Sequence, residues 1–95
     1  MIQPDIILEQ VAKSFFVETS DITGPRRDRN ISEARFFYIK LAREINRMTY
    51  NKIASDLNRK ACSAISGENR ANQLIEIYPD MKKLYNKLKH EITME

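Results

Sequence analysis

The 95-residue sequence has one cysteine, one histidine, two glycines, three prolines and no tryptophan. With Cys62 alone, no disulfide forms within the chain, and the expected compartment is the cytoplasm. Cys62 and His90 cannot supply the four nitrogen and sulfur ligands that a zinc site usually takes. Nor do they suggest a Cys–His nucleophile pair, because His90 lies in a charged terminal segment. A glycine-rich phosphate loop is missing, and no Walker motif is present. These absences imply no cofactor and no small-molecule substrate, and make an enzyme the least favoured class. Scarce Gly and Pro, with no run of one residue type, argue against disorder across the chain. No stretch approaches the roughly 20 apolar residues of a membrane span. The opening MIQPDIILEQVAKSFF has Glu9 among its apolar residues and lacks a basic leader, so no signal peptide is expected.

What remains is one small domain over 1–95, with helical periodicity throughout and no segment that alternates with period two. Leu8, Val11, Ala12 and Phe15 make one apolar stripe. Pro4 suits the first turn of that helix, and Asp5 suits the positive end of its dipole. Thr19 or Ser20 caps a short helical turn, with Ile22 inward and Gly24–Pro25 ending it. Asn30 and Glu33 have the spacing of a capping box. Ala34, Phe37, Tyr38, Leu41, Ile45 and Met48 then form the broad face of a central helix. Phe36 falls off that face and reads either as a surface aromatic or as packing under the first helix. Thr49 is placed to cap a short helix with Tyr50, Ile53, Ala54 and Leu57 inward, and Asn58 tolerates the left-handed conformation of a turn. A longer helix follows from about Ala61 to Tyr78, with Ala64, Ala71, Leu74, Ile75 and Tyr78 inward. On its other side stand Cys62, Ser63, Ser66, Asn69, Arg70 and Gln73. Pro79 stops it, and Asp80 caps a last helix carrying Met81, Leu84, Tyr85, Leu88 and Ile92. The fold class is all-α, a bundle of five to six helices.

Charge is the second signal. The net charge is only +3, but PRRDRN (25–30) concentrates Arg26, Arg27 and Arg29, and Arg59–Lys60 stand at the turn before the long helix. Basic clusters on a balanced chain point to a local anionic partner, nucleic acid first, with a solvated loop as the plain alternative. TYNKIASDLNRKACSAISGENR (49–70) has the form of a helix-turn-helix. It offers a short helix with an apolar underside, a tight corner, and a second helix with one small, polar, open face. Cys62, Ser63 and Ser66 would let the backbone approach a groove, and Arg59, Lys60 and Arg70 reach phosphates or base edges. The bland reading is an αα-hairpin with a wet face. Gly67, inside a helix, implies close packing or close backbone approach. Cys62 is read as a small groove-facing residue, with a redox role as the alternative. Lys82, Lys83, Lys87 and Lys89 read as a solvated face.

The order of these elements resembles the C-terminal DNA-binding domain of the bacterial chromosomal replication initiator DnaA. ILEQVAKSFFVETSDITGPRRDR (7–29) is similar to that domain's opening helix, short turn and basic loop. ISEARFFYIKLAREINRMTYNKIASDLNR (31–59) is similar to its long helix and corner. The likeness covers about 6–78, with the helix-turn-helix at about 49–78, and implies a fold of the Trp-repressor-like superfamily. By position, it implies that Arg27, beside Arg26 and Arg29, enters a minor groove. It further implies that Arg35 and Arg43 hold phosphates and that Arg59 is the corner arginine. The family then carries Asp, His and Thr to read the origin box, where this chain has Lys60, Ala61 and Cys62. Only Ser63 keeps the expected hydroxyl. A lysine favours guanine acceptors where aspartate accepts from cytosine. The resemblance therefore implies double-stranded DNA as partner, with another sequence preference or mostly non-specific binding. The rival is a protein-interaction module that keeps the fold without DNA binding. No membrane partner is expected, and a monomer is preferred over a homodimer through the last helix.

Overall fold

The computed structural model describes residues 2–94, and every element in it is helical. In chain order these are α1 (Pro4–Phe15), α2 (Thr19–Thr23), α3 (Arg29–Asn46), α4 (Tyr50–Asp56), α5 (Ala61–Ile77) and α6 (Pro79–Thr93). None of the helices described is long and apolar enough to cross a membrane.

α3 is the axis of the bundle and touches each of the other five helices. Its buried Ala34, Phe37, Tyr38, Ile39, Leu41 and Ala42 spread around most of the helix, as a surrounded element requires. Phe37 lies edge-on between Phe15 of α1 and Tyr85 of α6, with centroid distances of 5.3 and 5.4 Å, the offset that aromatic quadrupoles favour. On α1 the most buried positions are Ile7 and Val11, while Leu8 is half-buried at the edge.

Three corners turn on left-handed residues, Phe16, Arg47 and Asn58, with φ of 58, 54 and 57°. The ends of α1 and α3 are both closed by backbone bonds around such a residue. Phe16 and Val17 donate to Lys13 and Ala12 carbonyls at 3.3 and 3.0 Å, and Arg47 and Met48 to Arg43 and Ala42 at 3.1 and 3.4 Å. These bonds satisfy the carbonyls that a helix end leaves over.

Several local expectations are corrected. α3 begins at Arg29, so Asn30 lies inside it; its amide donates to Phe15 O at 3.5 Å, and Glu33 pairs with Arg29 at 3.5 Å. The N-cap of α2 is Glu18, whose N–H donates to the Asp21 carboxylate at 3.2 Å. Pro79 opens α6, so the cap is not the expected Asp80, which falls in the first turn. Phe36 packs beside α5, not under α1. Tyr78, expected inward, is 46% exposed.

Candidate nucleic-acid interface

α4, the corner and α5 form the helix-turn-helix. Thr49 Oγ1 accepts from Lys52 N–H at 3.2 Å and starts α4. At the corner Arg59 N–H donates to Ala54 O at 2.8 Å, across the left-handed Asn58. The extended Lys60 then opens α5. α5 rests on α3 through Ala64, Gly67 and Ala71, all buried and all small. A Cβ at Gly67 would overlap Ile39 Cδ1 and lie 3.4 Å from Phe36 Cδ1. Gly67 therefore serves the contact with α3, the packing alternative of its two readings. Cys62, Ser63, Ser66, Asn69, Arg70 and Gln73 face solvent as the spacing predicts, and Ile65 joins them.

The basic loop is tied to this corner by arginines. Arg35 is 5% exposed. Its Nε donates to Ile22 O at 2.8 Å, and its Nη2 to Asp21, Gly24 and Arg26 carbonyls at 3.2, 3.3 and 2.9 Å. Arg59 Nη2 donates to the same Gly24 carbonyl at 2.9 Å, its Nη1 to Leu57 O at 2.8 Å, and Asn58 Nδ2 to Thr23 O at 3.2 Å. Arg27 and Arg59 thereby share the lining of an open cleft of about 370 Å³ with Thr23, Gly24, Pro25 and Asn58. Burial, then the charges of Arg59 and Arg27, hold the Arg35 guanidinium below its usual range. Burial, then Arg27, lowers Arg59 as well. Both stay cationic at neutral pH.

Two of the proposed phosphate contacts are displaced by this geometry. Arg35 directs its donors into the protein, where it holds the loop. Arg43 lies over the Tyr50 ring at 4.2 Å, donates to Met48 O at 2.7 Å and stands 3.8 Å from Glu68. Tyr50 OH donates to the same Glu68 carboxylate at 2.6 Å. Arg43 thus fastens α3 to α4 and α5, and is drawn away from the cleft. Arg26 is paired with Asp21 and Asp28 at 3.8 and 2.5 Å. Arg29, paired with Glu33, borders a second groove together with Arg70, Phe36, Leu74, Ile77 and Tyr78. By contrast Arg27, Arg59, Lys60 and Arg70 make no ion pair among the described residues. The loop tip, the corner and the open face of α5 thus each carry a cation without a carboxylate among the described residues, as do Lys13, Arg47, Lys82 and Lys83.

Sequence reasoning missed the linking roles of Gly24, Asn58 and Glu68. Gly24–Pro25 and Asn58 were visible as turn signals, but their hydrogen bonds join segments 35 residues apart. Glu68 had no signal beyond its position in α5.

The family model for the bacterial dnaA protein helix-turn-helix matches residues 4–70. The chain belongs to the bacterial DnaA helix-turn-helix family. The matched span runs from α1 through the loop and corner to Arg70. Curated relatives named chromosomal replication initiator protein DnaA align over nearly the whole chain. The one from Aliarcobacter butzleri is 37% identical over 90 residues, covering 94% of this chain and 20% of its own length. Those from Campylobacter jejuni and Neisseria meningitidis are 30% and 29% identical, covering 96% and 93% of this chain and 21% and 17% of their own lengths. The chain spans about a fifth of the DnaA relatives it matches.

Proposed function

We propose that this domain binds double-stranded DNA, with the N-terminal part of α5 in the major groove and Arg27 reaching the adjacent minor groove. Arg59, Lys60 and Arg70 meet phosphates or base edges. The observation that carries the reading is the convergence of Arg27 and Arg59 on one cleft at the corner that leads into α5, with no ion-pair partner for either among the described residues. Burial first, then the neighbouring guanidiniums, depresses Arg59 and Arg35, and a polyanion relieves the repulsive part. The initiator box is not the target. Lys60, Ala61 and Cys62 replace the residues that read it in the family, and each lost base contact costs about 1–3 kcal/mol. Kinship with replication initiators suggests a role in controlling initiation, as an occupant of DNA.

The test is binding to random duplex DNA over a salt series. With Arg35 and Arg43 engaged inside the protein, about four cations remain, and the log–log slope should fall near −3 to −4. Absence of binding at low salt overturns the proposal. A protein-interaction module is the second reading. It is favoured by the groove between α3 and α5, where Ile77 is 65% exposed beside Phe36 and Leu74.

A further inference from the structure

We infer that Arg35 is a positioning residue: with Arg59 and Asn58 it locks the basic loop onto the helix-turn-helix corner, so that Arg27 and α5 meet one duplex in fixed register. This rests on the DNA-binding reading above and assigns Arg35 no contact with DNA.

The loop between α2 and α3 has no regular backbone structure over residues 25–28, and these residues are exposed. Such a segment ordinarily samples many conformations, and ordering it on binding costs affinity. Here one buried guanidinium ties the Arg26 carbonyl of the loop to the carbonyls at the end of α2. Arg35 reaches Asp21, Ile22, Gly24 and Arg26. The Gly24 carbonyl is the junction, because Arg59 from the corner donates to it too. Asn58 adds a second tie one residue earlier, on Thr23 O. Gly24 also suits its position sterically, since a Cβ there would stand 2.8 Å from Ser20 O. The planar fork of an arginine is what the arrangement needs. A lysine ammonium is a single point of donation and cannot span four carbonyls held at these angles.

A buried cation close to two others is unfavourable in the free protein. Satisfying carbonyls alone does not require three converging guanidiniums. Their repulsion is relieved once a polyanion lies across the loop and corner, so the lock favours the bound state without touching the ligand.

A double-mutant cycle on a fluorescently labelled duplex, repeated over a salt series, tests this. Arg27→Ala should weaken binding about tenfold and make the salt slope shallower by about one. Arg35→Lys should cost a similar factor. In the Arg27→Ala background, Arg35→Lys should change affinity less than about twofold and leave the slope alone, because the side chain it presents is already gone. Additive losses of affinity in the two backgrounds would show that Arg35 acts independently of Arg27 and would overturn the inference. So would an Arg27→Ala variant that binds like wild type. Should Arg35→Lys fail to fold, Asn58→Gly decides: it keeps the left-handed conformer and removes the amide. Its loss of affinity should vanish in the Arg27→Ala background, and equal losses in both backgrounds sink the coupling. Failure of wild type to bind any duplex is a separate result, against the DNA-binding reading.

Discussion

Tyr85 reports on how the core tolerates polar atoms. Its ring packs edge-on against Phe37, and Lys40 Nζ lies 5.3 Å from its centroid. Its hydroxyl is buried with no hydrogen-bond partner among the described residues. An unsatisfied buried hydroxyl costs about 1–3 kcal/mol, so Tyr85→Phe should leave stability unchanged or raise it, as read by urea unfolding. A clear loss would show that the hydroxyl has a partner. Gly67 gives the opposite lesson. Its missing side chain lets α5 lie against Ile39 and Phe36, and Gly67→Leu should destabilise by about 2–3 kcal/mol in the same assay. At this scale the sequence exposed Gly67 as anomalous but not the direction it faces. Arg35 was legible only as a cation on α3. That its donors turn inward depends on carbonyls 9–14 positions away, which no local pattern encodes.

The elements are held in register by a few polar junctions more than by caps. Arg43, Tyr50 and Glu68 join α3, α4 and α5 in one cluster, with Arg43 Nε buried and lacking a hydrogen bond among the described residues. Glu68→Ala removes the carboxylate acceptor and should lower stability by about 1–2 kcal/mol, since hydrogen bonds to charged groups are the stronger kind. The same change should loosen α5 against α4, seen as faster amide hydrogen exchange in the first turns of α5. If exchange there is unchanged, the cluster does not fix α5. Helix existence and most apolar faces were readable, because a period of 3.6 records which side is covered. Helix starts were less so. Asn30 with Glu33 has cap spacing, yet the chain entered the helix at Arg29, where Asp28 is extended and Arg29 pairs with Glu33.

For the whole molecule, pH is the simplest probe. Burial, then the charges of Asp56 and Asp5, pushes Tyr38 up to about 12; burial, then Glu44, pushes Tyr85 up as well. A tyrosine raised on folding keeps its proton after the unfolded chain has lost it. Its stabilisation is complete below about pH 10 and is lost as pH rises through the folded value. Stability should therefore decline from about pH 10 upward, and Tyr38→Phe should flatten that decline in chemical unfolding at several pH values. On the acid side, burial of Glu44 opposes its ionisation, but hydrogen bonds from Lys40 on α3 and Lys89 on α6 outweigh it and hold the carboxyl below its usual range. That contribution is present above the unfolded pKa and disappears as pH falls through the folded one.

The sequence by itself determined the helices, the corner at Asn58, the open face of α5 and the family, because periodicity, turn chemistry and motif order are properties of neighbouring residues. Which arginines turn to other parts of the fold was decided only by the tertiary structure. Arg35, Arg43 and Arg59 are drawn into carbonyl or carboxylate contacts with other segments, while Arg27 shares a cleft with Arg59 and makes no ion pair among the described residues. A guanidinium's role depends on what else its reach contains, and in this chain those groups come from segments far apart in sequence.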